Sequence, residues 1–175
     1  KLLQDGHKCR IFDLIETDDQ SEETDFHQGD IRDYQAILQA CKGVEVVYHN
    51  VAQVPLAKDK KAFESVNIQG TENLLKACVE AGVRKVVYTS SSAVFGVPQN
   101  NPVTEDTTPH PRESYGKAKL AGEKLCHEYA QKGLDVSIIR PRTIMGHGRL
   151  GIFQILFEWI RQGYNIPVLN NGDNI

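Results

Sequence analysis

Val86-Val87-Tyr88-Thr89-Ser90-Ser91-Ser92-Ala93-Val94-Phe95-Gly96, followed beyond a proline-rich loop by Ser114-Tyr115-Gly116-Lys117-Ala118-Lys119, is the stretch that decides how the chain is read. A β-branched apolar run that ends in three serines reads as a buried strand. Tyr115-x-x-x-Lys119 then opens a helix, and residues four apart lie on one helix face, one turn above the other. An ammonium near a phenol favours the phenolate and draws its pKa below the reference of about 10. A tyrosine so placed serves as an acid or base near neutral pH. A serine hydroxyl at the end of the neighbouring strand can hydrogen-bond the same substrate oxygen. The stretch therefore describes proton transfer for an alcohol/ketone pair. Taken alone, Tyr-x-x-x-Lys is a weak signal in a chain with six tyrosines and many lysines.

The flanking sequence gives the signal a frame. Lys8–Asp13 reads as a strand ending in a carboxylate, and Glu16–Asp25 as a polar loop. Phe26-His27-Gln28 leads into Gly29-Asp30-Ile31, where the next strand ends, and Asp33 caps a helix over Tyr34–Cys41 that Gly43 stops. Val44–His49 is a buried strand. A long helix is expected over Lys60–Ala81, with Gly82 as its stop, and a strand over Val83–Thr89. The prolines at 98, 102, 109 and 111 exclude regular structure from the loop Gly96–Ser114. A helix over Tyr115–Gln131 ends at Gly133, followed by a strand over Leu134–Ile139. Gly146-His147-Gly148 is a turn, Ile152–Arg161 a helix and Ile166-Pro167-Val168 a last short strand.

Strands alternating with helices imply βαβ units and a mostly parallel sheet. Ligands of such sheets sit outside the carboxyl ends of the strands. Asp13, Asn50-Val51-Ala52, the three serines and Arg140-Pro141 all fall on that edge, and so does Tyr115. This convergence lifts Tyr-x-x-x-Lys above coincidence.

The bulk properties exclude several classes of function. The chain has 175 residues, 40% hydrophobic and 25% charged, within the size of one domain. A net charge of −3 without a basic cluster gives no footprint for nucleic acid or an anionic membrane. No apolar run approaches the ~20 residues that span a bilayer. Cys9, Cys41, Cys78 and Cys126 lack ligand spacing and read as small buried or half-buried thiols of a reducing, cytoplasmic compartment. The six histidines show no metal-ligand pattern, so no metal site is expected.

Other positions carry two readings. Asp13 fits a carboxylate that accepts from the adenosine ribose hydroxyls, which would favour NAD over NADP, and equally fits a solvated strand end. Asp30 suits an adenine amino group with Ile31 against the ring, or an ordinary turn. Ala52 lets a cofactor approach the backbone, or simply ends a strand. Asn67 inside a helix holds a water or a backbone group. Alternation lets at most one or two of Ser90, Ser91 and Ser92 face a site. His147, without a visible carboxylate partner, reads as a loop residue near a substrate. There is no G-x-S-x-G elbow to support a serine hydrolase.

The chain resembles an extended short-chain dehydrogenase/reductase of the NAD-dependent epimerase/dehydratase type. The resemblance rests on Gly6-His7-x-x-Arg10-x-x-Asp13, Gly29-Asp30-Ile31-Arg32-Asp33, Val47-Tyr48-His49-x-x-Ala52 and Asn67-Ile68-x-Gly70-Thr71-x-Asn73-Leu74-Leu75. It continues through Thr89–Gly96, Tyr115-x-x-x-Lys119-x-x-x-Glu123 and Arg140-Pro141. It implies an α/β, Rossmann-type, mostly parallel sheet with helices on both faces. Residues 1–175 would be a partial NAD-binding domain, with 143–175 leading into a substrate-binding region. Both ends read as cut inside a larger domain. The family's glycine-rich turn, with the first strand at the centre of the sheet, would lie roughly twenty residues before Lys1, so the sheet here is expected to be missing that strand.

By that register Ser91 is the catalytic serine, Tyr115 the acid/base, and Lys119 the residue that binds the nicotinamide ribose and lowers the tyrosine pKa. Asp13, Asp30, Ile31, Ala52, Arg140 and Pro141 join Tyr115 and Lys119 as cofactor contacts. Ser92, Thr143 and His147 face the substrate. The implied reaction is hydride transfer at a carbinol of a nucleotide-linked sugar, in a homodimer with NAD. Ser92-Ala93 stand where a dehydratase of the best-known kind has Asp-Glu, which favours an epimerase. Thr143–His147 in place of Asn-Val-Tyr-Gly-Pro, and Phe95 in place of Tyr, leave the substrate open. A steroid- or flavonoid-type alcohol dehydrogenase is the alternative, suggested by Ile144-Met145 and the apolar run from Ile152. A catalytically silent dinucleotide-binding regulator is the reading from another class, against which the intact Ser91/Tyr115/Lys119 set argues.

Overall fold

The computed structural model describes residues 1–18, 20–53, 63–98, 100–144 and 153–166. Strands β1 (Arg10–Asp13) and β2 (Asp25–Gln28) pair in parallel. Strands β3 (Val46–His49), β4 (Lys85–Thr89) and β5 (Asp135–Ile139) form a second parallel sheet with β4 in the middle. Among the described residues no ladder joins the two sheets. The parallel α/β architecture is as expected.

Helices α1 (Tyr34–Cys41), α2 (Gly70–Ala81) and α3 (Ser114–Gln131) connect the strands and pack α1 on α2 and α2 on α3. The β1–β2 connection carries no helix among the described residues, in keeping with the polar loop read over Glu16–Asp25. Each boundary has a local cause. Asp33 caps α1 by accepting from the Gln35 and Ala36 amides. Gly82, at φ 73°, ends α2 in the left-handed conformation that costs glycine least. Arg10 ties the first sheet to α1: its Nε donates to Asp25, and its Nη1 donates to the Ala40 and Lys42 carbonyls at the helix end.

The expected single helix from Lys60 is not observed. Phe63–Gln69 is wound as π-helix, α2 begins at Gly70, and Lys60 itself lies outside the described residues. The widening coincides with Asn67, whose side-chain amide is held off the helix by the Gln53 backbone, accepting from its N–H and donating to its C=O. π-turns of this kind are frequent near functional sites. At the junction a Cβ on Gly70 would come within 2.6 Å of Ile31, so glycine allows this close approach.

The core gathers Ile37, Leu74, Leu75, Val86 and Tyr88, with Cys41, Cys78 and Cys126. Those three thiols are buried as expected, while Cys9 is only partly so.

The chain divides into two compact units, Lys1–Pro141 and Arg142–Ile175. The second unit contains α4 (Phe153–Arg161), which has no buried residue. Ile155, Phe157, Trp159 and Ile160 are exposed on it, and Arg161 pairs with Glu158. The expected turn at 146–148 and the strand from Ile166 through Val168 fall wholly or largely outside the described residues.

Candidate active site

The carboxyl end of β4 meets the first two turns of α3. Glu113 caps that helix, its carboxylate accepting from the Tyr115 amide at 2.8 Å and the Gly116 amide at 2.7 Å. Ser91 is extended and caps the 3-10 turn Ser92–Phe95, accepting from the Ala93 amide at 3.2 Å. α3 rests directly on this turn, because a Cβ on Gly116 would lie 2.5 Å from the Ala93 carbonyl oxygen. The close approach sets the Ser91 hydroxyl near enough to the Tyr115 phenol to lower its pKa.

Lys119, one turn on, is 2% exposed. Its Nζ donates to the Thr89 carbonyl at 2.8 Å and lies 5.1 Å from the Tyr88 ring centroid and 5.9 Å from that of Tyr115. No carboxylate pairs with it among the described residues. Burial pulls its pKa down to about 8. Two of its three N–H donors are left for a ligand.

The sequence reading expects Lys119 to lower the Tyr115 pKa, and this is corrected. Burial raises it, the Ser91 hydrogen bond lowers it, and the Glu113 carboxylate raises it. The Lys119 ammonium is turned to the Thr89 carbonyl instead. In this arrangement Tyr115 rests as a phenol.

The three serines separate as strand alternation requires. Ser90 is buried, its hydroxyl donating to Glu123 Oε1 at 2.5 Å. Ser91 faces Tyr115. Ser92 enters the turn, its amide donating to the Pro141 carbonyl. Glu123, 1% exposed, also accepts both arms of Arg140 at 2.8 and 2.7 Å. The Arg140 guanidinium lies 5.1 Å from the Phe95 ring centroid. Within the described residues its partners are Glu123 and the Phe95 ring.

Of the other expected cofactor contacts, Asp13 closes β1. Its Oδ1 accepts from the Leu14 and Ile15 amides, and Oδ2 has no hydrogen bond within the described residues. Asp30 is chelated by Arg32 through both carboxylate oxygens, and Arg32 holds its pKa below the usual carboxylate value. Ile31 is 6% exposed and packs on Gly70, so its side chain belongs to the core and is not placed to lie against a ring. Ala52 is partly exposed in the loop after β3. Thr143 is exposed in the second unit, and His147 lies outside the described residues.

The donor set fits NAD at two points: a buried ammonium with spare N–H groups suits ribose hydroxyls beside the reacting carbon, and a strand-end carboxylate suits the adenosine ribose. No glycine-rich phosphate turn occurs in the sequence.

Residues the sequence reading did not use also shape the site. Glu113 stands where serine, threonine, aspartate or asparagine usually signals a cap. Glu123 is eight residues after Tyr115 and so shares its face, a signal present in the sequence. His49, 2% exposed, contacts the Thr71 hydroxyl through Nε2 at 2.9 Å, and that hydroxyl donates to the Asn67 carbonyl. The imidazole is therefore the donor at Nε2, and Nδ1 finds no partner among the described residues. Burial and the nearby Lys119 pull its pKa down to about 3. No cluster suited to a metal occurs among the described residues.

Known proteins agree with this geometry. The family model for the NAD dependent epimerase/dehydratase family matches residues 1–175. An uncharacterised Sinorhizobium fredii protein, y4nG, is 53% identical across 99% of this chain and 44% of its own length. Human sterol-4-alpha-carboxylate 3-dehydrogenase (decarboxylating) is 33% identical across 100% and 48%. UDP-glucose 4-epimerase of Mycolicibacterium smegmatis is 32% identical across 99% and 62%. The chain thus spans about half the length of the curated relatives it matches. A short-chain dehydrogenase/reductase superfamily protein from Agrobacterium tumefaciens, crystallised with NAD, superposes with a TM-score of 0.74 at 35% identity, over 79% of this chain and 43% of the other. With its parallel sheet, its serine–tyrosine–lysine edge and a family match over its whole length, the chain belongs to the NAD dependent epimerase/dehydratase family.

Proposed function

We propose that the protein carrying this chain is an oxidoreductase that uses NAD at a carbinol of a nucleotide-linked sugar and acts as an epimerase. The observation that carries this reading is the placing of Tyr115 and the buried Lys119 one helical turn apart at the carboxyl end of β4, beside the turn that Ser91 caps. Tyr115, deprotonated to its phenolate for the oxidative step, accepts the hydroxyl proton of the substrate as the carbinol carbon is oxidised, and returns it on reduction. Ser91 donates its one hydroxyl proton to the substrate oxygen. Lys119 holds the nicotinamide ribose with the N–H donors that the Thr89 carbonyl does not use. NAD, when bound, supplies the hydride acceptor. Asp13, Asp30, the Ile31 backbone, Ala52 and Pro141 line the cofactor, and Ser92, Thr143 and His147 the substrate. The UDP-glucose 4-epimerase relative supports the sugar substrate, and Ser92-Ala93, without a carboxylate, support epimerisation over dehydration.

The sterol dehydrogenase relative and the exposed apolar residues of α4 support a second reading, oxidation of a 3β-hydroxysterol. A homodimer through α2 and α3 and a cytoplasmic location complete the proposal. Among the described residues no helix is long and apolar enough to cross a membrane.

The test uses the full-length protein and Tyr115→Phe. UDP-, GDP- and dTDP-sugars are assayed for epimer formation, and 3β-hydroxysterols for NADH absorbance. Sugar epimerisation that Tyr115→Phe abolishes, with NAD still bound, supports the first reading. Sterol-dependent NADH formation alone supports the second. Biological activity unchanged by Tyr115→Phe would leave a silent dinucleotide-binding regulator.

A further inference from the structure

Helix α3 grips the end of β4 at three successive levels. Tyr115, Lys119 and Glu123 recur every four residues and therefore share one face. Tyr115 meets the Ser91 hydroxyl, Lys119 the Thr89 carbonyl and Glu123 the Ser90 hydroxyl. Thr89, the last residue of β4, and the two residues after it are thus held by one helix. Only the first two levels touch groups to which the proposed reaction gives a role.

The third level is the best buried. Glu123 is 1% exposed and accepts three hydrogen bonds, one from Ser90 and two from Arg140. Arg140 follows β5 immediately, and the Ser90 amide donates to the Ile139 carbonyl at 2.8 Å. The Arg140 guanidinium also lies against Phe95, the last residue of the turn that Ser91 caps. One carboxylate therefore joins α3 to the ends of β4 and β5 and, through Arg140, to the Ser91 turn. Burying it is not needed for stability as such, because buried ion pairs replaced by apolar side chains of similar volume are often neutral. Its distinctive effect is directional. It fixes Ser90 inward, and alternation then turns Ser91 outward to Tyr115.

We propose that Glu123, with Arg140 as its counter-ion, is a positioning residue that sets the Ser91–Tyr115 contact by locking Ser90. The proposal rests on the oxidoreductase reading above and assigns Arg140 to this lock and not to the cofactor.

The experiment compares wild type, Tyr115→Phe, Ser90→Ala and the double variant Glu123→Leu/Arg140→Met in the full-length protein. It measures the melting temperature, NAD affinity by fluorescence, kcat, and the pH profile of kcat. The double variant removes both charges and leaves none unpaired. Both lock variants are expected to melt within a few degrees of wild type and to bind NAD within about three-fold, while kcat falls about ten-fold or more. The groups facing the phenol are Ser91, Glu113 and Lys119. With the Ser91 hydrogen bond loosened, the acid limb of the profile moves to higher pH, which a general loss of stability would not cause. A wild-type kcat and profile in both lock variants, with Tyr115→Phe inactive, overturns the lock alone. Turnover that survives Tyr115→Phe overturns the oxidoreductase reading and the lock with it. If the double variant does not fold, Ser90→Ala decides: an unchanged kcat and profile overturns the lock, and a fall in kcat with the upward shift sustains it.

Discussion

Lys119 Nζ donates to the main-chain oxygen of Thr89 at 2.8 Å, holding a buried ammonium against a strand end with no carboxylate partner among the described residues. A main-chain carbonyl is a weaker partner than a carboxylate, so burial dominates and the pKa falls to about 8. The positive charge is thereby kept available to groups above it and is not neutralised by an acid beside it.

That arrangement costs stability in a defined pH window. The folded pKa of Lys119 lies below its unfolded value of 10.5, so between about pH 8 and 10.5 the unfolded chain holds more protons and stability rises with pH. From pH 8 to 9.5 the gain from this group is on the order of 2 kcal/mol. Lys119→Met should lose that pH-dependent gain, be more stable than wild type at pH 7.5, and lose turnover. Denaturant titrations of both proteins at pH 7.5 and 9.5 check this. Equal pH slopes for the two would show that the ammonium is not desolvated.

His49 gives the opposite end of the pH scale. Its folded pKa of about 3 is below its unfolded value of 6.5, so the unfolded state alone binds the proton between them. Stability contributed by the neutral imidazole is complete above about pH 6.5 and is lost on acidification, by about 1.4 kcal/mol per pH unit. His49→Asn should flatten the stability profile between pH 6.5 and 5 and cost some stability at pH 7. Urea midpoints at pH 7, 6 and 5 measure it, and an unchanged slope in the variant would assign the acid loss elsewhere.

The sequence carried the parallel α/β frame because its signals are local. Asp33 as a cap, Gly82 as a stop and the β-branched run into Thr89 each act within a few residues, and the structure keeps all three. The Ser91–Tyr115 contact was legible from alternation and family register. What stayed hidden depends on partners distant in the chain. The π-wound start near Asn67 follows from a grip on Gln53, fourteen residues away. The engagement of Arg140 by Glu123 and the core position of Ile31 against Gly70 likewise arise only when separate elements meet. The pKa direction of Tyr115 was misread because spacing supplies the lysine but neither the burial nor the competing Thr89 carbonyl.

Glu113 combines two effects that a substitution separates. It caps α3 through the Tyr115 and Gly116 amides, and its charge raises the Tyr115 pKa. Glu113→Ser keeps a good cap residue and removes the charge. The acid limb of the pH–kcat profile should move to lower pH, with the melting temperature little changed. A shift to higher pH, or none, would mean that the carboxylate acts only as a cap.

Gly116 tests the contact between helix and turn most directly. Its conformation is ordinary helix, so alanine would raise helix propensity by up to about 1 kcal/mol in an open site. Here the added Cβ would meet the Ala93 carbonyl oxygen at 2.5 Å and Glu113 Oε1 at 2.8 Å. The carbonyl belongs to the turn that Ser91 caps and cannot swing away as a flexible side chain would. Gly116→Ala should therefore lift the first turn of α3 from the strand end, with a net loss of about 1–2 kcal/mol. Tyr115 moves with that turn, and a displacement near 1 Å at a reacting group costs turnover up to about a hundred-fold. Lys119, a turn deeper and held by Thr89, should keep its place, so NAD affinity changes little. Melting temperature, NAD affinity and kcat of the full-length variant decide the matter. A kcat within two-fold of wild type despite the lower melting temperature would show that the Ser91–Tyr115 contact does not depend on this close approach.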